Sequence, residues 1–233
     1  MKKFFGKKTN GIIILDGEEL VHLAVLRCEV GEKVICLTGD ENEYLCEITH
    51  FSKRIAECKI LEKSYCAKNP TKNITIFQGL PKVDKLELIT QKVTELGASK
   101  IIPFESDFTI AKPNLNKIER LKKISIEACK QCGRSKCVEI EQPITFKQMI
   151  EKLNEYDIVL FANETNKKIS KLDFKNYNNI AIIIGSEGGF SQKEIDLLKQ
   201  INNVAEVGLG ERILRTETAS IFLCGLVSYL TEN

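Results

Sequence analysis

The chain has 233 residues, with 43% hydrophobic and 28% charged side chains, and its formal net charge at pH 7 is +2. These values are ordinary for a soluble globular protein, and a chain of this length can bury a sizeable core. No apolar run reaches the roughly 20 residues of a membrane helix, and the basic N-terminus is not followed by the apolar segment of a signal peptide. We therefore expect a soluble, cytoplasmic protein with no membrane partner.

The first 70 residues have the pattern of a small β-rich domain. A short helix is predicted at 19–26. Short runs that alternate in part between apolar and polar residues, separated by turn-forming residues, predict strands at 34–37, 44–48 and 55–60.

The pattern changes after Asn69-Pro70-Thr71, which we interpret as a linker. From there strands alternate with helices, and this alternation is typical of an α/β layer domain. The strands are predicted at 73–77, 100–104, 157–161 and 180–184, and the helices at 82–96, 116–132, 192–201 and 217–230. Gly97 and Gly133 are expected to end the first two of these helices. The sequence thus predicts two domains, residues 1–70 and 71–233.

Basic side chains are concentrated in the middle of the chain, where residues 71–150 carry fourteen basic and nine acidic side chains. Many of them fall on the helix predicted at 116–132 or directly after it. Such a patch can bind a phosphate backbone, whereas a solvated helix face is the commoner explanation of the same pattern.

The nine cysteines are spread mostly through apolar segments, and we interpret them as reduced thiols that act as small hydrophobic residues. Cys129, Cys132 and Cys137 cluster, but a structural zinc site usually needs four ligands. Because His22 and His50, the two histidines, lie far away in the sequence, we expect no metal.

The sharpest local feature is a buried strand that runs into the glycine-rich turn 185–189, Gly-Ser-Glu-Gly-Gly. The helix after it is predicted to begin with a capping box formed by Ser191 and Glu194. Because ligands of open α/β sheets bind at the carboxyl ends of the strands, this turn lies where a cofactor is expected. It matches neither the phosphate-binding loop nor the dinucleotide-binding fingerprint. A plain tight turn between strand and helix is the simpler alternative.

A second strand end follows at 204–207, and a Gly-Leu-Gly turn leads from it towards the last helix. Two arginines, two carboxylates and two hydroxyls are concentrated within eight residues there, namely Glu211, Arg212, Arg215, Thr216, Glu217 and Thr218. Helix capping explains the hydroxyls but not both arginines. The last helix, 217–230, is apolar nearly all round, so we expect it to be buried on most sides, in its own subunit or against another.

The segment 209–219, LGERILRTETA, together with the preceding GSEGGFS, resembles the motifs of the RsmE family. Members of this family are 16S ribosomal RNA (uracil-N3)-methyltransferases of the SPOUT class. HLAVLR at 22–27 resembles the family's N-terminal motif, DKLELITQKVTELG at 84–97 its first α/β helix, and EACKQCGR at 127–134 the end of its basic helix. The matches occur in order over nearly the whole chain.

The resemblance implies a small PUA-like β-barrel in residues 1–70 and a SPOUT α/β domain with a C-terminal trefoil knot in residues 71–233. It implies transfer of a methyl group from S-adenosyl-L-methionine to N3 of a specific uridine in 16S ribosomal RNA, a step of rRNA maturation. The expected partners are 16S rRNA, naked or in the assembled small ribosomal subunit, and a second copy of the chain in a homodimer.

The family's functional residues map onto positions of this chain. The implied cofactor-binding residues are Phe161, Ala162, Asn163, Glu164, Ile184, Gly185, Glu187, Gly188, Gly189, Leu209, Gly210, Ile213, Leu214 and Thr216. Arg215 is expected to stabilise the uracil anion or fix a phosphate, and Glu217 or a nearby water to take the proton from N3. The expected RNA-binding residues are Arg27, Lys123, Lys130 and Arg134.

Two positions depart from the family pattern. Ser186 stands where the family usually has Pro, which removes a restraint on φ and predicts a more mobile loop and weaker cofactor binding. The segment 105–108 lacks an Arg that members often carry, so any RNA contact of that Arg is not transferred to this chain. Two alternatives stay open: a SPOUT methyltransferase of another RNA site, and an RNA-binding protein whose methyltransferase fold is inactive.

Overall fold

Residues 1–110, 115–165, 174 and 176–232 are described by the structure, a computed structural model of the chain. The chain forms two units, one made of Met1–Asn69 with Cys129–Cys137 and the other of Pro70–Ala128 with Val138–Asn233. Residues 129–137 thus belong to the first unit, whereas the sequence pattern places them in the second. Within the described residues, no helix combines the length and apolarity needed to cross a membrane.

The first unit is a six-stranded sheet with one helix. Its elements are β1 (Lys3–Phe5), β2 (Lys7–Thr9), β3 (Ile12–Leu15), α1 (Gly17–Val25), β4 (Lys33–Leu37), β5 (Asn42–Phe51) and β6 (Ala56–Tyr65). The strand order is β1-β4-β5-β6-β3-β2, with β1 parallel to β4 and the other neighbours antiparallel. Strands β1 to β3 are absent from the sequence prediction because runs of three or four residues are too short to show a period.

Alternate residues of the central strands fill the core of this unit. Tyr44, Cys46 and Ile48 of β5 are buried, as the alternation of the sequence predicts. Cys36 and Cys58 of the neighbouring strands are also fully buried. These free thiols therefore pack as small hydrophobic side chains.

The second unit is a parallel seven-stranded sheet with helices. Its strands are β7 (Asn73–Gly79), β8 (Lys100–Glu105), β9 (Glu139–Ile140), β10 (Ile144–Thr145), β11 (Ile158–Ala162), β12 (Asn179–Ile184) and β13 (Val204–Val207). Its helices are α2 (Val83–Glu95), α3 (Leu115–Cys132), α4 (Phe146–Lys152), α5 (Gln192–Lys199) and α6 (Thr216–Glu232), with a short 3₁₀ helix at Leu153–Glu155. The last four residues of α3, 129–132, belong to the first unit. The strand order is β10-β8-β7-β12-β11-β13, and β9 pairs with β8.

The continuous apolar runs predicted as strands are covered on both faces. Ile180 and Ile182 of β12 pack into one hydrophobic cluster, whereas Ala181 and Ile183 pack into another. Because successive side chains of a strand point to opposite faces, both faces of β12 are buried. Each face of the parallel sheet is therefore covered by its own hydrophobic cluster.

Several helix ends follow the local sequence signals. Gly97 and Gly133 have φ of +97° and +86°, as expected for glycines that follow a helix. Ser191 accepts a hydrogen bond from the Glu194 N–H, and the Glu194 carboxylate accepts one from the Ser191 N–H, which confirms the predicted capping box.

In the single chain, helix α6 is buried along one face only, whereas the sequence predicts burial on most sides. Leu223 and Val227 are fully buried, but Phe222 is 47% and Tyr229 66% exposed. The opposite face of α6 thus leaves an apolar surface uncovered. The C-terminal trefoil knot implied by the family resemblance stays a prediction.

Candidate active site

Three loops of the second unit meet at one edge of the parallel sheet and enclose a cavity of about 490 Å³. They follow β11, β12 and β13, where β11 pairs in parallel with both of the other strands. Because the carboxyl ends of parallel strands lie at the same edge, loops that are far apart in the sequence converge there.

All of the predicted cofactor-binding residues except Phe161 line this cavity. They are Ala162, Asn163, Glu164, Ile184, Gly185, Glu187, Gly188, Gly189, Leu209, Gly210, Ile213, Leu214 and Thr216. Phe161 is fully buried in a hydrophobic cluster of the sheet, where its ring packs edge-on against Phe190 at 4.9 Å between centroids. The Phe161 side chain is therefore part of the hydrophobic core and does not line the cavity, whereas Phe190 does line it.

The glycine-rich turn after β12 is tightly packed against its surroundings. A Cβ on Gly185 would lie 2.9 Å from Phe190 Cε2, and a Cβ on Gly188 would lie 2.7 Å from Phe108 Cβ. The Gly189 N–H donates to the Ser186 carbonyl at 3.0 Å, and Gly189 has φ of +69°. Ser186 is buried within this turn, so the position that usually holds Pro in the family is enclosed here.

A buried polar network joins the loop after β12 to the start of α6. The Thr216 hydroxyl donates to the Gly185 carbonyl at 2.6 Å and accepts from the Gln78 side-chain amide at 2.9 Å. The Ser220 hydroxyl contacts the Gln78 side-chain oxygen. Gln78, Thr216 and Ser220 are all buried, so the network is shielded from water. Its hydrogen bonds connect three segments that are distant in the sequence: the end of β7, the loop after β12 and the start of α6.

Lys85 of α2 adds a cation to the cavity. Its ammonium lies 3.1 Å from Glu187 Oε1 and 3.6 Å from Glu217 Oε2. Glu217 Oε2 is buried and receives no hydrogen bond within the described part of the chain, so the Lys85 ammonium is its polar contact. Burial disfavours ionisation of Glu187, but hydrogen bonds from the Lys82 N–H and from Lys85 outweigh it and hold the pKa of Glu187 below its ordinary value.

The two predicted catalytic residues are differently placed. Arg215 is exposed and lines the cavity, and its carbonyl accepts the Ala219 N–H of the first turn of α6 at 2.8 Å. No salt bridge to Arg215 occurs among the residues that the structure describes. Glu217 is not among the residues that line the cavity, and only 15% of its side chain is exposed.

The four predicted RNA-binding residues divide into two pairs. Arg27 and Lys123 are exposed. Arg134 is only 3% exposed, and the Lys130 side chain, 10% exposed, forms an ion pair with Glu19. Little of the Lys130 and Arg134 side chains faces solvent in this structure, and their role in binding RNA stays a prediction.

Sequence reasoning missed several residues of the site. Lys85 and Phe190 line the cavity, and Gln78 lies directly behind it. Arg212, which the sequence already marks as part of a polar cluster, also lines it. Gln78 was detectable as a polar residue directly after the apolar pair Ile76 and Phe77 at the end of β7, but Lys85 looks like any lysine on an amphipathic helix. No group of three or more His, Cys, Asp or Glu among the described residues is placed to hold a metal ion.

Family models cover both parts of the chain. A model described as an RNA methyltransferase domain matches residues 67–228, and one described as an RNA methyltransferase PUA domain matches residues 15–61. The first match alone covers more than half of the chain. It overlaps all three loops of the cavity.

Named relatives align over nearly the full length. The chain is 34% identical over 232 residues to the ribosomal RNA small subunit methyltransferase E of Rickettsia conorii. This alignment covers 96% of this chain and 92% of that protein. It is 33% identical over 231 residues to the protein of the same name from Bacillus subtilis, with coverage of 94% and 90%.

A solved structure of a ribosomal RNA small subunit methyltransferase E from Neisseria gonorrhoeae, bound to S-adenosyl methionine, has a TM-score of 0.90 and 26% identity. It covers 99% of this chain and 98% of its own. The agreement in motifs, fold and length confirms the resemblance seen in the sequence. The chain therefore belongs to the RNA methyltransferase family, among the ribosomal RNA small subunit methyltransferases E.

Proposed function

We propose that this chain transfers a methyl group from S-adenosyl-L-methionine to N3 of a uridine in 16S ribosomal RNA, a step in small-subunit maturation. The observation that carries the proposal is a cavity of about 490 Å³ that combines glycine-rich loops with the exposed guanidinium of Arg215. The names of the relatives support the substrate, and the Neisseria structure supports the cofactor.

The cavity fits the cofactor in size and in lining. Small-molecule sites are typically about 300–1,000 Å³, and this one lies within that range. Gly189 and Gly210 leave open space where side chains would stand, while Ile184 and Leu209 offer apolar surface. The Glu164 carboxylate provides a hydrogen-bond acceptor. When bound, S-adenosyl-L-methionine supplies an electrophilic methyl group on a positively charged sulfonium.

The reaction needs a group that favours the uracil anion. Uracil N3 carries a proton and becomes an effective nucleophile when that proton leaves, which places negative charge on O2 and O4. The Arg215 guanidinium, exposed at the cavity, stabilises this charge. Glu217 or a water beside it accepts the proton, and Lys85 positions the Glu217 carboxylate by the contact of 3.6 Å.

The RNA is held by exposed cations on both units. We assign phosphate contacts to Arg27 and Lys123, whose side chains are exposed. The substrate, 16S rRNA or the small ribosomal subunit, places the reaction in the cytoplasm.

We also propose that the chain is a homodimer. The uncovered face of α6 carries Phe222 and Tyr229, and Ile213 beside the cavity is 80% exposed. A second copy that covers this apolar surface removes it from water and brings a partner close to the site.

Nucleoside mass spectrometry of small-subunit RNA tests the proposal. We expect 3-methyluridine to disappear from cells that lack the gene and to return with the wild-type chain but not with Arg215→Ala. Arg54→Ala is the control, because Arg54 is an exposed arginine to which no role in the reaction or in RNA binding is assigned. Unchanged 3-methyluridine in the deletion strain would contradict the assignment.

Calorimetric titration with S-adenosyl-L-methionine separates the two alternatives. Normal cofactor binding with unchanged 3-methyluridine would indicate a methyltransferase of another RNA site. Absence of cofactor binding would indicate an RNA-binding protein with an inactive methyltransferase fold.

A further inference from the structure

Phe108 is an exposed aromatic residue at the border of the candidate active site. It follows strand β8, and 48% of it is exposed. A Cβ on Gly188 would lie 2.7 Å from Phe108 Cβ and 3.4 Å from Phe108 Cγ, so the aromatic side chain begins directly above a glycine that lines the cavity. Phe108 is not a member of the hydrophobic clusters formed by the described residues. Its ring is therefore held near the cavity without being part of the core.

The turn that carries Phe108 is firmly attached to the start of α5. The Asp107 N–H donates to Glu194 Oε1 at 2.9 Å, and the Ser191 hydroxyl donates to Asp107 Oδ2 at 2.6 Å. The Ser106 N–H donates to the Thr109 hydroxyl at 2.8 Å, which closes the turn around Phe108. The capping box that orders α5 thus also fixes the position of this aromatic residue.

In an enzyme that modifies a base, an exposed aromatic ring in a fixed position can stack against that base. A uracil cannot reach an active site while it is stacked in RNA, and enzymes of this kind hold the extruded base against an aromatic face or a guanidinium plane. The Phe108 ring offers such a flat face and carries no charge.

We infer that Phe108 is a base-stacking residue for the RNA substrate at the entrance to the cavity. The inference rests on the proposed function, because it assumes that an RNA base enters this site. It assigns to Phe108 a contact with a base and not with a phosphate. Loss of the ring should therefore weaken RNA binding without changing the dependence of binding on salt.

The test compares three variants, Phe108→Tyr, Phe108→Leu and Ile110→Ala, in binding and single-turnover methylation of small subunits from the deletion strain. Phe108→Leu keeps an apolar side chain against Gly188 but removes the flat face, and we expect an RNA affinity about 5- to 100-fold lower. Phe108→Tyr keeps the face and should stay within about twofold of the wild type. Ile110, which is 94% exposed, is the control for lost apolar surface and should leave both measurements unchanged.

Affinity for S-adenosyl-L-methionine, measured on the same proteins, distinguishes stacking from support of the Gly188 loop. Unchanged cofactor affinity with weaker RNA binding in Phe108→Leu supports the inference. Wild-type RNA affinity in Phe108→Leu, or a loss confined to cofactor affinity, overturns it. Because RNA affinity is read without turnover, a wild-type protein that binds RNA but makes no 3-methyluridine contradicts the proposed function alone.

Discussion

The side-chain amide of Gln78 donates a hydrogen bond of 2.9 Å to the hydroxyl of Thr216, 138 residues further along the chain. The same hydroxyl donates to the Gly185 carbonyl at 2.6 Å. One buried glutamine at the end of β7 therefore links the glycine-rich turn to the first residue of α6. Both segments that the link joins line the candidate active site, through Gly185 and Thr216.

Gln78→Leu should destabilise the protein and weaken cofactor binding. It removes the hydrogen bonds between Gln78 and the buried hydroxyls of Thr216 and Ser220, which then keep only the carbonyls of Gly185 and Thr216 as partners. The loss costs about 1–3 kcal/mol in the free energy of unfolding. Urea denaturation and calorimetric titration with S-adenosyl-L-methionine measure the two effects. Gln192→Leu, which alters an exposed glutamine of α5, is the control and should change stability by less than about 0.5 kcal/mol. Equal stability of the two variants would contradict a structural role of the network.

Gly79→Ala should be among the most damaging single-methyl changes in the second unit. A Cβ on Gly79 would lie 2.5 Å from the Ser186 N atom, so the backbone of the cofactor loop has to move. We expect a loss of about 1–3 kcal/mol in the free energy of unfolding, together with lower cofactor affinity. Gly225→Ala is the control: within α6 its nearest atoms would be Leu96 side-chain carbons at 3.5 Å, and the change should stabilise the helix by about 0.5–1 kcal/mol. Thermal denaturation of both variants measures the change in stability, and calorimetric titration with S-adenosyl-L-methionine measures the change in cofactor affinity. A Gly79→Ala variant as stable as the wild type would contradict the prediction.

Lys85→Gln should slow methyl transfer more than it lowers stability. The substitution removes the ammonium that contacts both Glu187 and Glu217. Single-turnover rates at saturating RNA and cofactor should fall, because the Glu217 carboxylate loses the group that positions it. Lys92→Gln removes a surface pair with Glu95 on the same helix and should keep the wild-type rate. An unchanged rate in Lys85→Gln would exclude the positioning role.

Glu187 should contribute to the acid sensitivity of the fold. Its pKa is lower in the folded protein than its ordinary value, so its contribution to stability is present near neutral pH and is lost as the pH falls through the folded-state pKa. The wild type should therefore lose more stability than Glu187→Gln between about pH 6 and pH 3. Urea denaturation across this range, without cofactor, measures the difference. Parallel curves for the two proteins would contradict the prediction.

The exposed face of α6 should control the oligomeric state. Phe222→Lys combined with Tyr229→Lys places two charges on the apolar surface, and a dimer that buries it should dissociate. Light scattering should then report the mass of a single chain. Lys193→Glu, which changes an exposed residue of α5, is the control and should leave the mass unchanged. A monomeric wild type would refute the homodimer directly.

Features that depend on near neighbours were predictable from the sequence. Gly97 and Gly133 each follow a helix and have positive φ. Such a helix end was predictable because it depends on the backbone of neighbouring residues and on the conformational freedom of glycine. The capping box of Ser191 and Glu194 spans three residues, and its two hydrogen bonds need no distant partner. The motif-bearing loops were recognisable for the same reason, since each is a continuous segment.

Only the tertiary structure decided which distant residues meet and which are buried. Lys130 and Arg134 have the composition of an exposed basic patch, yet folding buries both side chains. Lys85 reaches two carboxylates more than a hundred residues away because α2 packs against α6, which carries Glu217, and lies beside the loop after β12, which carries Glu187. Strand order sets these contacts, and residue spacing does not encode strand order. The sequence by itself therefore determined the longer helices and strands, the family and the candidate loops, while packing determined the polar network that holds the loops together.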